Sequence, residues 1–241
     1  HPCAMNTTNS ETIANTINKL PVFIISISTM GDTKKIFIGF DGEFSGPFNA
    51  RKHYMIALGL FAVLEDGTDV GHLRVCMHPP TDEHGFDQRT TDTYWSRPGM
   101  SKMLATFQKE AVSPWHAMLH VKNWIDEYVR TYGRPNVHLV CDCTTDATWL
   151  DHYLVEFARA QPLICYGGEY TGWPLVTDDF YRGITGTLDL WGITDTMRNV
   201  YKIENVPRAT HDPVDDAREI VGVFVGVLTG RRADLAKMSK A

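Results

Sequence analysis

The 241-residue chain has no apolar run of the roughly 18 residues that are needed to cross a bilayer. Its longest candidate, residues 21–27, is also too short for a signal-peptide core. Internal repeats and low-complexity tracts are absent, while hydrophobic residues make up 43% of the chain. These features exclude membrane-spanning, fibrous and disordered classes and predict a soluble folded domain with no membrane partner.

Cysteine is scarce, and basic residues do not predominate. The five cysteines are an odd number without a small-domain disulfide framework, which predicts a reducing compartment such as the cytoplasm. Cys141 and Cys143 lack a second pair at zinc-finger spacing, so we interpret them as strand cysteines. Because the net charge is −6, any nucleic acid must be bound through a local basic groove or a bound metal.

Hydrophobic patterning predicts an α/β sandwich with a mixed central sheet. A single domain is expected over residues 34–241, preceded by an N-terminal extension of residues 1–33. Three early strands with short turns between them favour an antiparallel meander, and later strands alternate with helices. The strands are predicted at 36–40, 55–64, 70–77, 137–141 and 163–166. The helices are predicted at 100–110, 114–132, around Leu150 and Leu154, and at 214–228 with a stop at Gly230.

Carboxylates lie where predicted strands end and helices begin. Asp41 and Glu43 follow the first strand at a spacing of two, which places both on one face, although Asp-Gly is also a turn signal. Asp146 lies near the start of the helix after strand 137–141, where Asp142 or Thr145 as an N-cap is the structural alternative.

The last polar group precedes the final helix. His211 lies in a loop five residues before Asp216, which falls in the first helical turn. Together with Asp41, Glu43 and Asp146, these groups would repel one another unless cations neutralised them. Oxygen ligands of this kind suit Mg²⁺ or Mn²⁺, and two such ions can activate water and stabilise a leaving oxygen during phosphodiester cleavage. A glycosidase acid pair fits two acids on one strand face poorly.

These residues resemble a known set of motifs. Asp41-x-Glu43, Asp146 and His211-x₄-Asp216 are similar in order and separation to the three motifs of the DEDDh 3′–5′ exonucleases, which have an RNase H-like fold. The local sequences around the first and third motifs resemble poly(A)-degrading members and the group of RNase T and polyadenylate-specific RNase AS. The resemblance covers about residues 35–228 and implies an RNase H-like sandwich whose first three strands are antiparallel and whose later strands are parallel.

Two features depart from this pattern. Many relatives carry Asn or Gly where this chain has Asp142, and the role of the extra acid stays open. The segment around Thr93, Tyr94 and Trp95 is similar to phage-type DNA exonucleases of the same superfamily. The choice between RNA and DNA as the substrate is therefore open at this point.

The resemblance implies an exoribonuclease that hydrolyses single-stranded RNA from its 3′ end to nucleoside 5′-monophosphates, with adenosine as the base preference to test. A DNA exonuclease and an inactive nucleic-acid-binding module are the alternatives. By position, Asp41 would bridge two Mg²⁺ or Mn²⁺ ions, Glu43 and Asp216 would hold the nucleophile-side ion, and Asp146 the leaving-group ion. His211 would be the general base. A homodimer is expected by analogy with RNase T.

Aromatic residues near the motifs are candidates for gripping a single-stranded end by base stacking. Phe44 is expected to stack on or wedge the terminal base, with a place in the core as its alternative. Ser45 and Trp95 are the other predicted substrate contacts, and Tyr94 is a further stacking candidate. Trp115, on an amphipathic helix, is predicted to belong to the core.

Overall fold

The computed structural model describes residues 34–160, 174–177 and 193–238. The predicted extension (residues 1–33) and the predicted strand at 163–166 lie outside these residues. The strands are β1 (Ile36–Phe44), β2 (Met55–Leu64), β3 (Asp69–Cys76), β4 (Val137–Cys141) and β5 (Leu175–Val176). The helices are α1 (Met100–Glu110), α2 (Pro114–Tyr132), α3 (Thr144–Ala158), α4 (Ile193–Tyr201) and α5 (Pro213–Met238). The described residues also form three short helical segments: an α-helical turn at Gln88–Thr90, a π-helical turn at Thr91–Trp95 and a 3₁₀ turn at Arg134–Asn136.

The strands form one mixed sheet in the order β3-β2-β1-β4-β5. β2 runs antiparallel to both β1 and β3, while β4 runs parallel to β1 and to β5. The prediction of an antiparallel start followed by parallel strands is confirmed. In the described part of the chain, no helix is long and apolar enough to span a membrane.

Alternation along β1 divides the core between the two faces of the sheet. Ile36, Ile38 and Phe40 are buried on the face that α2 and α3 cover. Phe37 is buried on the other face with residues of α5, among them Phe224. Because side chains alternate along a strand, residues 39, 41 and 43 face α5 as well. The sheet therefore directs the two first-motif acids toward the start of α5.

Two glycines let α5 lie directly on the sheet. A Cβ on Gly39 would stand 2.3 Å from the carbonyl oxygen of Ala217, and one on Gly59 would stand 2.1 Å from the carbonyl carbon of Pro213. Gly59 pairs with Asp41 across β1 and β2. The first turn of α5 is thus held close above the carboxylate end of β1.

Gly59→Ala is expected to destabilise the fold, because the new methyl group would collide with helix backbone that cannot swing aside. We expect a loss of about 1–3 kcal/mol in the free energy of unfolding, measured by urea denaturation. Gly85→Ala is the matched control, since a Cβ there meets nothing within 4 Å. Equal stability of both variants and the parent would contradict the close packing of α5.

Four sequence predictions need correction. The strand predicted to end at Phe40 continues to Phe44, because residues 41–43 still pair with β2. Asp41 and Glu43 therefore belong to the strand and not to a turn after it. The N-cap of α3 is Cys143, without a side-chain hydrogen bond, and not Asp142 or Thr145.

The other two corrections concern helices. α5 does not stop at Gly230 but runs to Met238. A Cβ on Gly230 would stand 2.4 Å from the Tyr201 ring, so this glycine serves close packing against the end of α4. Trp115 is 48% exposed instead of buried, with its ring edge against Phe157.

Candidate active site

The three motifs come together at the end of β1, where α3 and α5 begin. Glu43 is buried, and Asp146 from the first turn of α3 is only 5% exposed. One Asp146 oxygen accepts the backbone N–H of Gly42 at 3.2 Å, and the other accepts the Cys143 thiol at 2.9 Å. A hydrogen bond therefore ties the second motif directly to the first.

Asp216 organises the loop that carries His211. Its Oδ1 accepts the backbone N–H groups of Thr210 at 2.8 Å and of His211 at 3.1 Å. His211 is exposed and has a left-handed backbone with φ of 66°. Glu43, His211 and Asp216 each offer one ligand atom, and these atoms lie within 4.8 Å of one another.

A buried ion pair fixes the chain that leads to His211. The Arg198 guanidinium on α4 donates to Glu219 Oε1 on α5 at 2.6 and 2.9 Å, and the two side chains are 7% and 12% exposed. The same guanidinium donates to the carbonyls of Val206 and Pro207 at 2.7 and 2.6 Å. Because these contacts satisfy the charge of Arg198 internally, it supports the loop and is not a surface cation.

A second group of ligand atoms lies on the α3 side. Asp142, Cys143 and Asp146 also offer atoms within 4.8 Å of one another. Oδ1 of Asp142 is buried and has no hydrogen-bond partner among the described residues. Burial raises the pKa of the Cys143 thiol, with Asp146 and Asp142 adding to the effect, so the sulfur stays protonated and acts as a donor. Oxygen donors therefore predominate, as hard divalent cations require.

Burial and mutual repulsion disfavour the charged forms of the acids at this site. Burial raises the pKa of Asp41 well above its ordinary value, and Asp146, Asp142, Glu43 and Asp216 raise it further. Burial raises the pKa of Glu43 to about 8 against the opposing hydrogen bond from Tyr94. Burial likewise raises the pKa of Asp146 and of Asp216. Asp41 thus interacts with acids of both ligand groups, and the donor set fits divalent cations.

The stability of the metal-free protein is expected to fall with rising pH. Glu43 has a folded pKa of about 8 against an ordinary 4.5, so the folded state binds an extra proton between these values. Each such proton gives a slope of about −1.4 kcal/mol per pH unit in the free energy of unfolding. Urea denaturation in EDTA from pH 5 to 8 measures this slope, and Mg²⁺ should stabilise the protein most at pH 8. Stability in EDTA that stays level or rises across this range would contradict the buried, self-repelling acids.

The aromatic residues near the acids separate into exposed and supporting groups. Phe44 is partly buried and stacks on Trp149, with ring centroids 5.3 Å apart at 14°. Phe48, which the sequence did not single out, is 45% exposed and meets the same Trp149 ring edge to face, with the ring centroids 4.9 Å apart. Its position five residues after Glu43 is the feature of the sequence that could have identified Phe48 as a candidate stacking residue.

Ser45 and Trp95 have interactions within the protein. Ser45 is fully buried, and its hydroxyl accepts the backbone N–H of Tyr54 and donates to the carbonyl of Gly85, both at 2.9 Å. Trp95 is 3% exposed, and its indole N–H donates to the carbonyl of Phe44 at 3.1 Å. These contacts hold the end of β1 in place.

No family model and no curated protein matches the chain. Among solved structures, the nuclease domain of 3′hExo, a DEDDh family member with bound rAMP, is similar at a TM-score of 0.56 and 12% identity, covering 84% of this chain and 94% of that one. The fold is that of the DEDDh exonucleases. A 3′-exonuclease solved for 3′-end-specific recognition of the histone mRNA stem-loop is similar at a TM-score of 0.54 and 10% identity. The match covers 83% of this chain and 84% of that one. Exonuclease I of E. coli in complex with a dT13 oligonucleotide is similar at a TM-score of 0.54 and 9% identity. The match covers 84% of this chain and 43% of that one.

The RNase H-like sandwich predicted from the motifs is therefore confirmed, with DEDDh exonucleases as its structural neighbours. At identities of 9–12%, this likeness establishes the fold and leaves the chemistry to the residues. The neighbours include proteins solved with RNA-type and DNA ligands, namely rAMP and dT13. A special closeness to RNase T or RNase AS stays a prediction from the sequence motifs.

Proposed function

We propose that this chain is a divalent-cation-dependent 3′–5′ exonuclease that removes nucleoside 5′-monophosphates from the 3′ end of single-stranded RNA. The observation that carries the proposal is that both ligand groups adjoin the end of β1: Glu43 of the first group lies on this strand, and Asp146 of the second accepts the backbone N–H of Gly42. Asp41 is the shared element, since acids of both groups raise its pKa. A fold with these residues elsewhere would not support hydrolysis.

The acids fit two Mg²⁺ or Mn²⁺ ions. We assign Glu43 and Asp216 to the ion on the nucleophile side, Asp146 to the ion on the leaving-group side, and Asp41 to both. Such ions, when bound, lower the pKa of an attacking water and stabilise the charge on the leaving oxygen. The protein holds its ligands in place beforehand, because Gly42 orients Asp146 and the N–H groups of residues 210 and 211 orient Asp216.

His211 is the proposed general base. It is exposed at the edge of the acid cluster, within 4.8 Å of Glu43 and Asp216 through its ring nitrogen. An imidazole nitrogen can accept a proton from water and return it to solvent, which is the role of a general base. The left-handed backbone and the hydrogen bonds from its loop to Asp216 fix the ring near the cluster.

We propose that Phe44 and the exposed Phe48 meet the terminal bases by stacking, while Ser45 and Trp95 act on the substrate only by supporting the end of β1. Stacking residues accept any base, so RNA specificity requires contacts to the 2′-hydroxyl. Adenosine preference and a homodimer are further predictions from the resemblance. Sedimentation of the purified protein measures the oligomeric state.

The test uses 5′-labelled RNA and DNA oligonucleotides of equal sequence, with poly(A) and poly(U) strands alongside, in Mg²⁺, Mn²⁺ or EDTA. We expect a ladder that shortens from the 3′ end of RNA, 5′-monophosphate products, and no cleavage in EDTA. Faster cleavage of DNA would favour the DNA exonuclease alternative. Binding without cleavage in either metal would identify an inactive nucleic-acid-binding module and overturn the proposal.

A further inference from the structure

One tyrosine contacts two members of the Glu43–His211–Asp216 group, namely Glu43 and His211. Tyr94 lies in the π-helical turn Thr91–Trp95, outside the three motifs. Its hydroxyl stands 3.0 Å from one Glu43 carboxylate oxygen and 2.9 Å from the other, and donates its proton to this carboxylate. A hydroxyl has one proton, while a carboxylate has about four acceptor sites, so this contact orients Glu43 and leaves most of its acceptor capacity for a cation.

The ring of the same tyrosine contacts the proposed base. The Tyr94 and His211 rings meet edge to face at 89°, with their centroids 5.8 Å apart. Edge-to-face contacts of this kind are attractive and restrict the rotation of the imidazole. Tyr94 therefore touches Glu43 through its hydroxyl and His211 through its ring.

The turn that carries Tyr94 is itself anchored to the site. The rings of Trp95 and Tyr94 pack edge to face with their centroids 4.9 Å apart. The Trp95 indole N–H donates to the carbonyl of Phe44, the residue that follows Glu43. The Arg97 guanidinium also lies over the Tyr94 ring, 5.5 Å from its centroid. The side chain is thus restrained on several sides, as a group that orients others must be.

We propose that Tyr94 is a positioning residue that holds the Glu43 carboxylate and the His211 ring in the relative arrangement that hydrolysis requires. This inference rests on the proposed function, since it assigns Tyr94 a role at the same site. Hydrogen bonds that orient metal ligands commonly contribute about 10- to 100-fold to metal affinity or activity. Tyr94 acts through Glu43 and His211 and makes no proposed contact with the reacting atoms.

Two variants separate the two contacts. Tyr94→Phe removes only the hydroxyl, and we expect Mn²⁺ affinity measured by calorimetry and kcat on a 3′-OH oligonucleotide each to fall roughly 10-fold, with KM within about twofold of the parent. Tyr94→Leu also removes the ring edge from His211, and we expect a further loss of roughly 2- to 10-fold in kcat with no further loss of Mn²⁺ affinity. Melting curves and circular dichroism confirm folding of each variant.

Tyr128→Phe is the matched control. Its hydroxyl donates to the carbonyl of Val70 at 3.1 Å, away from the acids, so its loss should leave Mn²⁺ affinity and kcat unchanged. If Tyr94→Phe matches the parent in both quantities, or alters them no more than Tyr128→Phe does, the role assigned to Tyr94 is wrong. A parent protein that binds no Mn²⁺ would instead overturn the proposed function, which is a distinct result. Should Tyr94→Leu fail to fold, Tyr94→Phe decides the question.

Discussion

Replacing His211 with alanine is expected to lower kcat on a 3′-OH oligonucleotide by about 10²- to 10⁴-fold, because the attacking water loses its proton acceptor. Metal binding should be largely retained, since the carboxylates of Glu43, Asp146 and Asp216 remain. Their backbone partners also remain, because the N–H of residue 211 still bonds to Asp216. Steady-state kinetics together with calorimetric Mn²⁺ titration measures both parts of this prediction.

His120→Ala provides the control for His211→Ala. His120 is also an exposed histidine, but it lies on α2, on the opposite side of the sheet from α5. Its replacement should leave kcat and Mn²⁺ affinity unchanged. Near-parental turnover by His211→Ala would rule out the assignment of this residue as the base.

Asp41→Asn is expected to abolish turnover and, at the same time, to stabilise the metal-free protein. We expect at least about a 10³-fold loss of activity, because a lost ligand to both ions removes several kcal/mol of charge stabilisation. The opposite effect on stability follows because burial, and then repulsion from four neighbouring acids, raise the pKa of Asp41. Relief of this repulsion should add about 1–2 kcal/mol to the free energy of unfolding in EDTA at pH 8, measured with urea.

Asp126→Asn tests whether this double effect belongs to the site. Asp126 forms an i,i+4 ion pair with Lys122 on the surface of α2, where loss of a charge changes stability by only a few tenths of a kcal/mol. Its turnover should equal that of the parent. An Asp41→Asn protein that is less stable than the parent in EDTA would argue against a cluster of self-repelling acids.

Local patterns predicted most of the sheet and the main helices. The continuous apolar run that ends at Phe40 located β1, and the helical spacing of apolar residues over 114–132 located α2. The prediction that the motif acids share one strand face relied on the period of two alone, and the pairing of Asp41 with Gly59 in the sheet agrees with it. Features that depend on neighbours along the chain were therefore accessible from the sequence.

Features that depend on distant neighbours were not accessible. Gly230 has the local signature of a helix stop, yet the ring of Tyr201 makes it a packing position inside α5. Ser45 and Trp95 resemble substrate contacts by their nearness to Glu43, but their partners are the backbone groups of Tyr54 and Phe44. The bond from Tyr94 to Glu43 spans 51 residues, and no spacing rule connects a π-helical turn with a strand.

The most direct test of the account is calorimetric titration of Mn²⁺ into the parent protein and into Asp41→Asn at pH 8. If residues from β1, α3 and α5 form one cation-dependent pocket, the parent should bind two ions per chain and the variant should lose at least one of them. A parent protein that takes up no Mn²⁺, or a variant that binds both ions as tightly as the parent, would contradict it.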